Sequence, residues 1–341
     1  MSEPAADELR ARAAIALRER WPAAEIGELE PLHGGISSLT FAATVTGVDD
    51  AGECRVVVKV APPGLPPVRN RDVLRQARVM RAVHRARGVL VPGVLAQDGG
   101  SPPLFVMEFV AGDAYEPKWD VSDAPPAPGV VGARARAAAR MLARLQEIDP
   151  ARAPLGDEPA LAPAAELERW ARLFATAGDD LRGNESELQG ALAARAPSPI
   201  VPRILHGDYR LGNMQFDGAR LAAVIDWEIW SVGDPRTDLA WLMAFSDPVM
   251  ERVPERDAAN QSAADAMPAG EALLEEFMRE AAMTDPPPEL EWFVALAYYK
   301  LCATLSVLAK RNRRQREPDP TLELAGRTVP PTLTRGLELL G

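Results

Sequence analysis

The chain has 341 residues, 47% hydrophobic and 26% charged, enough for two lobes with separate cores and too apolar for a disordered protein. A formal net charge of −11 argues against nucleic-acid binding, which rests on a basic footprint. Cys54 and Cys302 lie too far apart in sequence to suggest a disulfide framework or a cysteine-rich metal site; with no charged-then-apolar leader, a reducing cytoplasm is expected.

"MSEPAADELRARAAIALRERW" reads as a short amphipathic helix. "EPLHGGISSLTFAATVTG" follows as strand, glycine-serine turn and strand, and "CRVVVKV" is a β-branched run with strong strand character. "APPGLPPVRN" is too proline-dense for a helix or an inner strand. Val73, Leu74, Ala77, Met80 and Val83 recur at helical spacing. Short strands near Val94 and in "PLFVMEFV" close a β-rich lobe over residues 1–110. Residues 111–341 are mainly helical. "VVGARARAAARMLARLQEID" forms a long helix ending before Pro150, and helical patterns resume in 164–195. "RILHGDYRLGNMQF" interrupts them, followed by the strand "LAAVIDW" and a helix near "DPRTDLAWLMAF". "WFVALAYYKLCATLSVLA" carries Lys300, Thr304 and Ser306, so it is expected as a buried helix, with no membrane partner. The fold class is α+β: a small antiparallel β lobe followed by a larger helical lobe.

Four features carry chemistry. In "HGGISS", Gly34 and Gly35 let backbone amides approach an anion, and Ser37 and Ser38 add hydroxyl donors; a plain hairpin turn has the same composition. Lys59, one of only four lysines, sits inside a β-branched strand. It either snorkels to solvent or acts as a point cation for phosphate. Asp208 and Asn213 lie five apart on one loop, a carboxylate to accept a hydroxyl proton and an amide oxygen suited to Mg²⁺. His206 has no second histidine or cysteine nearby and reads as a brace. Asp226 ends an apolar strand thirteen residues after Asn213, a second hard oxygen donor unless it only forms a turn.

The ordered set of glycine turn, strand lysine, "VMEFVAG", "HGDYRLGN", "VIDWE" and "GDPRTDLAWL" resembles the aminoglycoside phosphotransferase family of the protein-kinase-like superfamily. The resemblance implies a bilobal protein-kinase-like fold and transfer of the γ-phosphate of ATP, or of GTP, to a hydroxyl of a small molecule. It implies Asp208 as base, Arg210 facing the transferring phosphoryl group, Asn213 and Asp226 holding Mg²⁺, and Lys59 on the α- and β-phosphates. Met107, Glu108 and Val110 would line adenine at the hinge, and Asp234 and Asp238 would brace the catalytic loop. One departure stands out. The helix residue expected to pair with Lys59 is Gln76 rather than a glutamate, so Gln76 is expected to accept a hydrogen bond from the ammonium, with Asp72 a possible substitute.

Only eleven residues separate Asp226 from Asp238, too few for the peptide platform of a protein kinase. A non-catalytic nucleotide-binding module is the alternative from another class, and the intact Asp208, Asn213 and Asp226 speak against it. The acceptor could be an aminoglycoside-like sugar or a hydroxyacyl-CoA, since the same pattern resembles kinase-like modules related to acyl-CoA dehydrogenase fusion proteins. "KRNRRQR" at 310–316 could meet CoA phosphates, or serve only as cations at a helix C-terminus.

Overall fold

The computed structural model describes residues 3–32, 38–48, 52–86, 88–253 and 255–341. It divides into two units, one of Met1–Gly112, Ala151–Gly156 and Ala222–Trp230, the other of Asp113–Pro150, Asp157–Leu221 and Ser231–Gly341.

The first unit is organised by an antiparallel sheet. Leu39–Thr46 pairs with Glu53–Val60, which pairs with Leu104–Glu108, which pairs in turn with Val94–Asp98. Alternation along Glu53–Val60 sends Val56, Val58 and Val60 into a core with Leu9, Leu17, Trp21 and Phe41. Lys59 therefore points to the opposite face, opposite Thr40 on one neighbour and Phe105 on the other. Lys59 is itself only 8% exposed, so the solvent-snorkelling alternative fails. The helix Val73–His84 starts where the Asp72 carboxylate accepts the Arg75 amide at 3.0 Å. It buries Val73, Gln76, Ala77, Val79, Met80 and Val83.

The second unit is mainly helical. Pro128–Gln146 opens with proline in its first turn, where a missing N–H costs nothing. Leu290–Asn312 is the one helix among the described residues long and apolar enough to cross a membrane, yet 89% of its apolar window is buried. The helices Pro163–Phe174, Arg236–Ala244, Pro320–Gly326 and Val329–Leu340 cover it. A small sheet joins Arg203–Leu205 antiparallel to Ser231–Gly233, which runs parallel to Ala160–Leu161. This sheet fixes the chain immediately before the polar loop at 206–213. The α+β expectation holds, with a small antiparallel sheet unit and a larger helical one.

Candidate active site

The loop is tied at both ends. Ile204 and Leu205 are buried strand residues on one side, and Leu211, Met214 and Phe216 are buried on the other. The buried Tyr209 hydroxyl donates to the Ala138 carbonyl at 2.9 Å. Asp238, fully buried on the Arg236–Ala244 helix, accepts the His206 amide at 2.6 Å and the Gly207 amide at 3.0 Å. Two charge-assisted bonds from one carboxylate fix the turn, where Gly207 adopts φ 90°. Asp238 thus braces the loop. Asp234 does not: it forms a bidentate pair with the buried Arg236, at 2.9 and 2.7 Å. The two aspartates differ because the helix starts at Arg236, leaving Asp234 outside its first turn.

Asp208 stands at the centre of a ring of donors. Oδ1 accepts the Trp241 indole at 2.9 Å, Oδ2 accepts the Asn213 amide at 2.7 Å, and Arg210 Nε lies 3.2 Å from both. Burial alone would raise the carboxyl pKa; the Arg210 charge and these hydrogen bonds outweigh it and hold the pKa below the usual carboxylate range. The His206 ring does brace the loop, with Nδ1 accepting the Asp208 amide at 3.3 Å. Because a carboxylate only accepts, the Asn213 nitrogen must face Asp208, and its Oδ1 turns away with no hydrogen-bond donor among the described residues. A neutral amide oxygen held in this way suits a hard cation such as Mg²⁺.

Arg210 has further neighbours. Besides pairing with Asp208 it lies 3.6 Å from Glu116 Oε2, and its guanidinium sits over the Trp119 ring at 5.3 Å. A side chain on Gly212 would collide with that guanidinium. Glu116, fully buried, accepts the Gly212 amide at 3.0 Å through Oε2. Its Oε1 has no partner among the described residues. Burial, partly offset by Arg210 and the Gly212 amide, pushes the Glu116 carboxyl up to about 7. Behind Asp208, the Lys300 ammonium lies 5.3 Å from both the Trp170 and Trp241 rings and 3.2 Å from Glu166. Glu116, Trp119, Trp241 and Lys300 were not singled out as functional from the sequence. The only signal was Trp and Glu in "AGDAYEPKWD", where the texture changes, and Trp241 inside a quoted motif.

The first unit carries the remaining residues. Lys59 Nζ donates to Asp226 Oδ1 at 3.0 Å. Asp226 holds φ 61° and ψ 59°, a left-handed conformation that costs a non-glycine residue about 1 kcal/mol or more. Its side chain is 41% exposed, so the carboxylate remains open to a hard cation. Ser38 is buried, with a hydroxyl that has no partner among the described residues; a phosphate oxygen would satisfy it. Gly34, Gly35 and Ser37 lie outside the described residues. The expected hydrogen bond from Lys59 to Gln76 is not formed: the Gln76 amide donates to the Asn70 carbonyl at 3.1 Å, and Asp72 is occupied as the helix cap. Asp226, not Gln76 or Asp72, partners Lys59. Met107 and Glu108 end the Leu104–Glu108 strand, and Val110 follows it half-buried. The Glu108 amide donates to the Gly93 carbonyl at 2.9 Å, and its carboxylate accepts the Gly93 amide at 2.8 Å.

A half-buried carboxylate held by Asn, Arg and Trp, on a loop braced by a second aspartate, is the arrangement expected of a phosphotransferase of kinase-like fold. The chain belongs to the phosphotransferase enzyme family, whose model matches residues 28–277. An aminoglycoside phosphotransferase, provisionally so assigned, from Ralstonia eutropha has the same fold with TM-score 0.73 and 20% identity over 98% of this chain and 97% of its own. A thermostable mutant of aminoglycoside phosphotransferase APH(4)-Ia, in ternary complex with ADP and hygromycin B, gives TM-score 0.60 and 16% identity over 93% and 96% of the chains. Among curated sequences, acyl-CoA dehydrogenase family member 10 of Mus musculus is 24% identical over 294 residues, 80% of this chain and 26% of the relative. The chain spans about a quarter of the length of the curated relatives it matches.

Proposed function

We propose that this chain transfers the γ-phosphoryl group of ATP, with GTP a second candidate donor, to a hydroxyl group of a small molecule, and that Asp208 is the base. The observation that carries this reading is the Asp208 carboxylate, ionised at neutral pH and oriented by Trp241, Asn213 and Arg210. Its side chain is still 27% exposed, so an acceptor can reach it. The hydroxyl donates to Asp208, its oxygen bonds to the γ-phosphorus, and the bond to the β–γ bridging oxygen breaks. The hydroxyl proton passes to the carboxylate. Arg210 acts here as a positioning residue: it holds the base rather than the phosphoryl group. Lys59 would pair the α- and β-phosphates, and Ser38 would donate to a phosphate oxygen. Asn213 and Asp226 would hold Mg²⁺, which neutralises phosphate charge when bound. The fold relatives in complex with ADP or AMP-PNP support nucleotide binding, as does the Lys59–Asp226 pair.

Within the basic run at 310–316, Arg313 is already paired with Asp180 and Glu323 at 2.6 Å each, so it is not among the cations offered to a CoA ester. Screening hydroxyl compounds for ATP consumption tests the reaction. Wild type is expected to turn over an acceptor. Asp208→Asn is expected to keep nucleotide affinity by calorimetry while losing turnover by about 10²-fold or more. Retained turnover refutes the base assignment. Nucleotide binding without turnover of any hydroxyl compound restores the non-catalytic alternative.

A further inference from the structure

Arg252 is a buried cation without an anion. It is 6% exposed, and its Nε and Nη1 have no hydrogen-bond partner among the described residues. Its Nη2 reaches only the Met250 thioether at 3.9 Å. The neighbouring carboxylate, Glu251, is taken up by Arg256 at 2.7 Å and by Lys118 at 4.0 Å. An uncompensated buried guanidinium is costly, and an arginine cannot shed its proton to escape that cost. The guanidinium also has a defined place. It lies 5.5 Å from the Trp119 ring, the same ring that carries Arg210, the partner of Asp208, at 5.3 Å. Trp119 packs tilted against Phe245 at 4.9 Å, and Phe245 tilted against Trp241 at 5.6 Å, whose indole holds Asp208. A row of neighbouring rings therefore links the Asp208 carboxylate to the unpaired cation, with Trp119 half-buried and Phe245 and Trp241 buried beneath it. Trp119 and Arg210 keep part of their surface in solvent.

We propose that Arg252 anchors an oxyanionic group of the acceptor, a carboxylate or a phosphate ester, with an apolar stretch along the half-buried Trp119 ring between that group and the reacting hydroxyl. The proposal rests on Asp208 as the base and assigns the acceptor class: an anionic, partly apolar alcohol. A polycationic aminosugar would set ammonium groups against the guanidinium.

Calorimetry on the full chain without nucleotide separates this from the catalytic reading. The probes are butyrate, butyl phosphate and butylammonium, titrated into wild type, Asp208→Asn, Arg252→Met and Arg252→Lys. Wild type and Asp208→Asn are expected to bind at least one anion in preference to butylammonium. Tighter butyrate identifies a carboxylate acceptor, and tighter butyl phosphate a phosphate-bearing one. Arg252→Met is expected to weaken the anion by about tenfold or more, with Arg252→Lys retaining part of the affinity. The ligand-free Arg252→Met protein is also expected to melt above wild type, because the unpaired charge is gone. Equal anion affinity in wild type and Arg252→Met, no anion binding to wild type, or equal binding of butylammonium overturns the proposal. Anion binding at Arg252 in a protein that phosphorylates nothing would leave the subsite standing and remove the kinase reading.

Discussion

Asn213 gives both amide hydrogens to Asp208, one to Oδ2 at 2.7 Å and one to the main-chain oxygen at 2.9 Å. The residue thereby orients the Asp208 carboxylate with its nitrogen and turns its oxygen away from it. Asn213→Asp has the same shape but replaces those donors with a second carboxylate facing the first. The variant is expected to lose about 2–3 kcal/mol of stability and about 10²-fold or more in kcat/KM. Thermal melts and steady-state kinetics check both; an unchanged melting temperature would contradict the contact.

Trp241→Phe keeps the aromatic stack on Phe245 and removes the donor to Asp208 Oδ1. That donor favours the ionised carboxylate, so its loss raises the Asp208 pKa toward its ordinary value. The acid limb of kcat/KM is expected to move to higher pH, with about a tenfold loss or less on the plateau. A pH–rate profile reads the shift.

Glu116 makes stability depend on pH. Its carboxyl rises from 4.5 to about 7 in the folded chain, so the folded state holds a proton that the unfolded state has released. The contribution is complete below about 4.5 and is lost as pH rises through about 7. Its size is on the order of 3 kcal/mol. Glu116→Gln is expected to flatten the change in melting temperature between about pH 5 and about pH 8 relative to wild type. Parallel slopes in the two proteins would remove Glu116 as the cause.

Asp234 and Asp238 separate stability from catalysis. Asp234→Ala strips the bidentate partner from Arg236, which is 2% exposed, and is expected to cost about 3–5 kcal/mol with little change in kcat. Asp238→Ala frees the His206 and Gly207 amides, so kcat is expected to fall by about tenfold or more. Denaturant melts beside kinetics on the folded fraction distinguish the two.

Lys59→Met removes the Asp226 partner and the proposed phosphate contact. Nucleotide affinity is expected to fall by about tenfold or more, measured by calorimetry with and without EDTA.

The loop at 206–213 was legible because its pattern is local. Asp208 and Asn213 share one loop, and the apolar residues flanking it announced that it is anchored. The partner of Lys59 was misread because an ion pair 167 positions apart leaves no periodic trace, whereas Gln76 sits at an inviting helical spacing. Trp119, Trp241 and Lys300 reach the site through packing of separate helices and loops. In sequence they look like ordinary members of apolar or amphipathic runs.

The Leu290–Asn312 helix has a practical consequence for anyone shortening the chain. Val329 and Leu333 of the terminal helix are buried, and that helix packs along Leu290–Asn312. Trimming it would uncover a strip whose mean hydropathy of 1.5 matches that of a membrane span. Such a truncate should precipitate or adsorb to detergent micelles during purification, behaviour easily mistaken for lipid affinity in the intact polypeptide.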